Sequence, residues 1–80
     1  MVTLESLQNS SSELVKSLAT RAATYKNELA SGAISAAEYA GLTRELTDLD
    51  TLQAACAGAD EQQQVAEAVE FLKTYLPMVL

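Results

Sequence analysis

The run Gly32-Ala33-Ile34-Ser35-Ala36-Ala37-Glu38 carries a helix stop followed at once by a helix start. Glycine is the residue that most readily takes the left-handed backbone conformation just past a helix C-terminus. A serine with a glutamate three residues later is the capping-box pattern, in which side chain and backbone satisfy each other's free N–H groups. Apolar residues flank this signal at helical spacing. Leu14, Leu18, Ala22, Tyr25 and Leu29 precede it at steps of 4, 4, 3 and 4, and Tyr39, Leu42, Leu46, Leu49, Gln53 and Cys56 follow at alternating steps of 3 and 4. Each series draws one stripe along a helix. Two striped helices joined by so short a connection fold back on each other. The prediction is an all-α chain with an antiparallel hairpin, its helices spanning about 11–31 and 36–57.

The hairpin has a register that can be written down in advance. Contacting residues should have numbers summing to about 67. Leu18 then meets Leu49, Tyr25 meets Leu42, Leu29 meets Tyr39, and Leu14 meets Gln53 beside Leu52. Lys16 falls near Asp50 and Arg21 near Glu45, and the opposite charge bias of the two helices favours antiparallel pairing. Exposed ion pairs contribute only about 0–1 kcal/mol each, so they set register more than stability. The first helix can be capped from Ser11 or Ser12. Gly41 sits inside the second helix, where it costs roughly 1 kcal/mol relative to alanine. A close backbone approach would compensate that cost.

Gly58 stops the second helix, and Asp60 can cap a third over about 60–76. Val65, Val69, Leu72 and Leu76 form its stripe, widened by Ala68, Phe71 and Tyr75. Pro77 is expected to break it. The chain reads as a single domain, 1–80, with residues 1–9 a short N-terminal arm and 77–80 an apolar tail; Leu4 and Leu7 can form one helical turn within the arm. Helix three either closes a three-helix bundle or projects as part of an extended hairpin and buries its face in a partner. A chain of 80 residues is marginally stable by core burial alone. With one cysteine and no histidine, neither a disulfide nor a zinc site can add to it. Association with another chain is the remaining route.

The net charge of −6 argues against direct nucleic-acid binding, which uses Lys and Arg to displace counterions. It argues equally against anionic membrane. No run approaches the roughly 18 apolar residues of a membrane span, and Met1–Gln8 lacks the basic-then-apolar pattern of a secretory signal. The expectation is a cytoplasmic protein, or one built into a virion assembled there. No serine or threonine has a histidine base available. Glu45, Asp48 and Asp50 resemble a calcium loop only until Leu52, where the next oxygen ligand would stand; they read as a solvated helix face. No glycine-rich phosphate loop exists, because the three glycines are isolated. No cofactor, metal or small-molecule substrate is indicated, and the chain reads as non-enzymatic. Cys56 reads as a small buried seam residue. Tyr25 and Tyr39 read as packing residues near the hairpin tip, with hydroxyls reaching water.

The apolar end, Tyr75-Leu76-Pro77-Met78-Val79-Leu80, invites aggregation if it stays in water. Phe71, Leu72, Tyr75, Leu76, Met78, Val79 and Leu80 are therefore the candidate partner-binding residues.

Gly32, Ile34, Ser35, Glu38, Tyr39 and Leu42 together spell G-x-I-S-x-x-E-Y-x-x-L. Over residues 26–49 this resembles the hairpin of short C-terminal oligomerisation domains of bacterial proteins, and is similar to hairpins in small helical accessory proteins of tailed bacteriophages. Ala36 and Ala37 depart from the acidic residues common there. The resemblance implies self-association or assembly, with a phage virion component or assembly factor as its most concrete form. A structural or assembly protein that joins copies of itself or a larger protein partner through apolar helix faces is the leading expectation. The alternative is an acidic inhibitor that blocks a basic site on a host protein as a nucleic-acid mimic.

Overall fold

The computed structural model describes residues 3–79. Five helices follow one another, α1 (Leu4–Gln8), α2 (Glu13–Ser31), α3 (Ala36–Leu46), α4 (Leu49–Ala54) and α5 (Ala59–Val79), with no strand among the described residues. No helix there is long and apolar enough to cross a membrane.

Local chemistry sets most of the helix ends. Thr3 and Ser6 cap α1 reciprocally, at 3.1 Å from the Ser6 N–H to Thr3 Oγ1 and 2.9 Å from the Thr3 N–H to Ser6 Oγ. Ser12 opens α2 by accepting from the Val15 N–H. At the other end Gly32 takes φ +81°, so that its N–H reaches the Leu29 carbonyl and the Ala33 N–H reaches the Glu28 carbonyl. This pair of bonds is a Schellman closure, which an L side chain at Gly32 would strain. Ser35 and Glu38 then form the expected capping box on α3, both bonds at 3.1 Å.

The second helix is not continuous over 36–57; it ends at Leu46 and restarts at Leu49. The Thr47 hydroxyl donates to the Thr43 carbonyl at 2.8 Å, and the Asp48 N–H tightens onto the Glu45 carbonyl. Threonine back-bonding of this kind bends helices, and Asp48, with ψ at 94°, leaves the helical region to start α4. The break turns α4 onto α5. The predicted pairs Leu18–Leu49 and Leu14–Gln53 needed a straight helix and lie beyond the break. Among the described residues the ion pair present is Lys16–Glu13, exposed and within α2, in place of the expected Lys16–Asp50 and Arg21–Glu45 pairs. Gly41 has no close neighbour either: a Cβ there would meet nothing within 4 Å.

Helix α5 runs longer than expected at both ends. The Gly58 carbonyl accepts the first helical bond, from the Gln62 N–H, so Gly58 is the flanking residue ahead of α5 and Asp60 lies in its first turn instead of capping it. Pro77 stays inside the last turn. It cannot donate to the Lys73 carbonyl four residues earlier, but both residues are exposed, so water can satisfy that oxygen. Leu76, the residue Pro77 would push out of helical geometry, is held by burial and by a hydrogen bond from Tyr39.

The core is one cluster. Val15, Leu18 and Ala22 of α2, Tyr39 and Leu46 of α3, and Val65, Ala68, Val69, Leu72 and Leu76 of α5 are all buried. Helix α5 thus packs on its own hairpin and completes a helical bundle. The Cα radius of gyration of 12.3 Å is close to the roughly 11.6 Å of a compact domain of this length, which excludes an extended hairpin.

Gly41→Ala should therefore stabilise the fold, raising the melting temperature by about 2–8 °C through helix propensity alone. Gly32→Ala should destabilise it by about 1–2 kcal/mol. Thermal unfolding followed by circular dichroism checks both signs.

Candidate interaction site

The seven residues expected to bind a partner have divided fates. Leu72 and Leu76, at 0% and 1% exposure, are the centre of the chain's own core and have no surface to offer. Phe71 and Tyr75 are half-buried and stack on each other one helical turn apart, with ring centroids 5.3 Å apart. Lys26 of α2 donates to the Tyr75 hydroxyl at 2.9 Å and lies 5.6 Å from the ring centroid, at the outer limit of a cation–π contact. Tyr75 thus fastens α5 to α2, while Phe71 packs against the core and the Tyr75 ring. Val79 is half-buried against the core, and Leu80 lies outside the described residues. Met78 remains: it is the large apolar side chain left exposed, at 76%, among the described residues.

Tyr39 is more deeply placed than expected. It is 1% exposed, and its hydroxyl donates to the Leu76 carbonyl at 2.9 Å rather than reaching water. That carbonyl lies in the last turn of α5, where helices run out of N–H donors, so the tyrosine acts as a remote cap. Burial raises the Tyr39 phenol above its ordinary range, and neighbouring Tyr75 raises it further. Tyr25 is half-buried.

At the other end of the bundle a single carboxylate holds three elements. Glu61 accepts from the Ser12 hydroxyl at 2.9 Å and from the Ala57 N–H at 3.1 Å. It ties the start of α2 and the α4–α5 connection to the first turn of α5. Cys56, outside α4, is half-buried beside this clip, its thiol against the Leu52 carbonyl. Burial first, then Glu61, raises its pKa, which disfavours the thiolate. Among the described residues no metal-binding group of three or more Asp, Glu or Cys side chains forms.

Between helices α3 and α5, near the C-terminal end of α5, the surface parts to leave a groove. A depression of about 180 Å³ there is walled by Ala40, Thr43 and Thr47 on one side and Pro77 on the other, with Leu72 and Leu76 below. Arg44 and Lys73 stand on opposite walls. Beyond them it opens into a wider depression bordered by Glu45, Asp48, Leu49 and Asp50. The Thr43 and Thr47 hydroxyls already donate to backbone carbonyls, leaving their lone pairs free. Sequence reasoning singled out neither Arg44 nor Lys73 for this site. The one available signal was that they are two of only five basic residues in an acidic chain.

No family model matches the chain, and neither a curated protein nor a solved structure matches it.

The Tyr39 contact gives a pH-dependent prediction. Its raised pKa means that it favours the folded state while protonated, fully below the unfolded value near 10, and that this stability is lost as pH rises through the folded value. Tyr39→Phe should cost about 1–2 kcal/mol at neutral pH by orphaning the Leu76 carbonyl. The difference from wild type should shrink above pH about 10, as denaturant titrations across the alkaline range would show.

Proposed function

We propose that this chain is a non-enzymatic structural or assembly protein, which joins copies of itself or a larger protein through the C-terminal end of α5 and the adjoining α3–α5 groove. One observation carries the reading. In a bundle that covers nearly all of its large apolar side chains, Met78 stands 76% exposed, one residue after a proline that walls a groove. A single exposed apolar residue is ordinary, but one on the same terminal turn of α5 as a residue that walls an apolar-floored groove fits an interface anchor at this end of the molecule. Methionine suits this role, because its flexible thioether adapts to a partner's shape. The absence of histidine and the isolation of the glycines give no support to hydrolytic or nucleotide chemistry.

The resemblance of residues 26–49 to oligomerisation hairpins is compatible with this reading. The capping box and Schellman closure that carry it now have a purely local explanation, so the assembly role leans on Met78 and the groove instead. Expected behaviour is reversible self-association. Sedimentation equilibrium should show a mass that rises with concentration, and Met78→Glu should shift the chain to monomer while leaving its melting temperature within a few degrees. A monomer at every concentration for wild type would remove self-association, and an equal mass for both proteins would remove Met78 from the contact.

A further inference from the structure

The α3–α5 groove has a charge character opposite to that of the molecule. The protein carries −6 overall, yet the 180 Å³ depression is lined by two cations and no carboxylate. Neither Arg44 nor Lys73 has an ion-pair partner among the described residues. Each comes from a different helix, so together they bracket whatever enters. The apolar floor between them is made by Leu72 and Leu76, and Ala40 leaves room above it. Pro77 adds a hydrogen-bonding feature: it has no N–H for the Lys73 carbonyl, which leaves an acceptor on the groove wall.

The geometry points to an acidic peptide segment of a partner protein as the occupant of this groove, with one apolar side chain seated over Leu72 and Leu76 and flanking carboxylates held by Arg44 and Lys73. It rests on the reading that this end of the molecule is where a partner docks. Arginine holds carboxylates in bidentate geometry, and the pairing gains from an apolar floor that lowers the local dielectric. A segment with an apolar residue between acidic ones satisfies floor and walls at once, whereas a basic segment would set cation against cation. Glu45, Asp48 and Asp50 border the wider depression beyond the two cations. Their field confines favourable contact to the narrow end and disfavours long acidic tracts that would overrun it.

Fluorescence anisotropy on the full chain tests this with three labelled peptides: leucines flanked by glutamates, the same peptide with lysines for glutamates, and a glutamate peptide without leucine. The leucine–glutamate peptide should bind best, and added salt should weaken it. Arg44→Gln with Lys73→Gln should weaken it by about tenfold or more. Lys16→Gln with Arg21→Gln removes the same charge from the exposed face of α2 and should leave binding within about twofold. All four sites are away from the core, and circular dichroism verifies that each variant folds. The proposal fails if no peptide binds, if the lysine peptide binds equally, or if both double variants lose affinity alike. Met78-dependent association in the ultracentrifuge is a separate readout. If it persists while the peptides fail, the docking end stands and only its occupant is wrong.

Discussion

The fold depends on the burial of one face of α5 against the α2–α3 hairpin. Val65, Ala68, Val69, Leu72 and Leu76 are all at most 2% exposed, and they supply half of the buried cluster. A two-helix hairpin alone presents open stripes to water, and a short domain has little stability to spare. Truncating a single leucine in such a core costs about 2–5 kcal/mol, a sizeable part of the whole. Helix α5 is therefore the element that turns an amphipathic hairpin into a domain.

This internal use of α5 decides what is left for a partner. A face spent on the chain's own core cannot serve intermolecularly, so the candidate surface shrinks from a whole helix stripe to one end and one groove. Tyr39 couples these regions. Its ring fills the core and its hydroxyl caps the last turn of α5, next to the proline that would otherwise loosen it. The end of α5 is thereby held in helical form up to Val79, which places Met78 and the groove walls in fixed relation.

What was legible in the sequence was local. The capping box at Ser35, the glycine at 32 and the stripe of the last helix all depend on neighbours within four residues, and they appear where spacing placed them. The break at Thr47-Asp48 was hidden because the 3–4 periodicity continues through Leu49 and Gln53. The competing signal, two good capping residues in succession with Thr51 bonded back to Asp48, is weaker than a proline. Pro77 misled in the other direction: a helix-breaking residue is tolerated in a last turn when its freed carbonyl is exposed. At the candidate site the limit was different. Periodicity reports that Leu72 and Leu76 must be covered, but not by what. The cations on the groove looked like ordinary solvated charges until two helices brought them to facing walls.

The most direct test of the central claim is the unfolding of Leu72→Ala at low protein concentration. It should be followed together by helical circular dichroism and by the fluorescence of the tyrosines, which lie on α2, α3 and α5. If α5 completes the core, the variant loses about 2–5 kcal/mol and both signals still move in one shared transition. If helix signal from the hairpin survives a separate, earlier loss of α5, the hairpin stands by itself and the account is wrong.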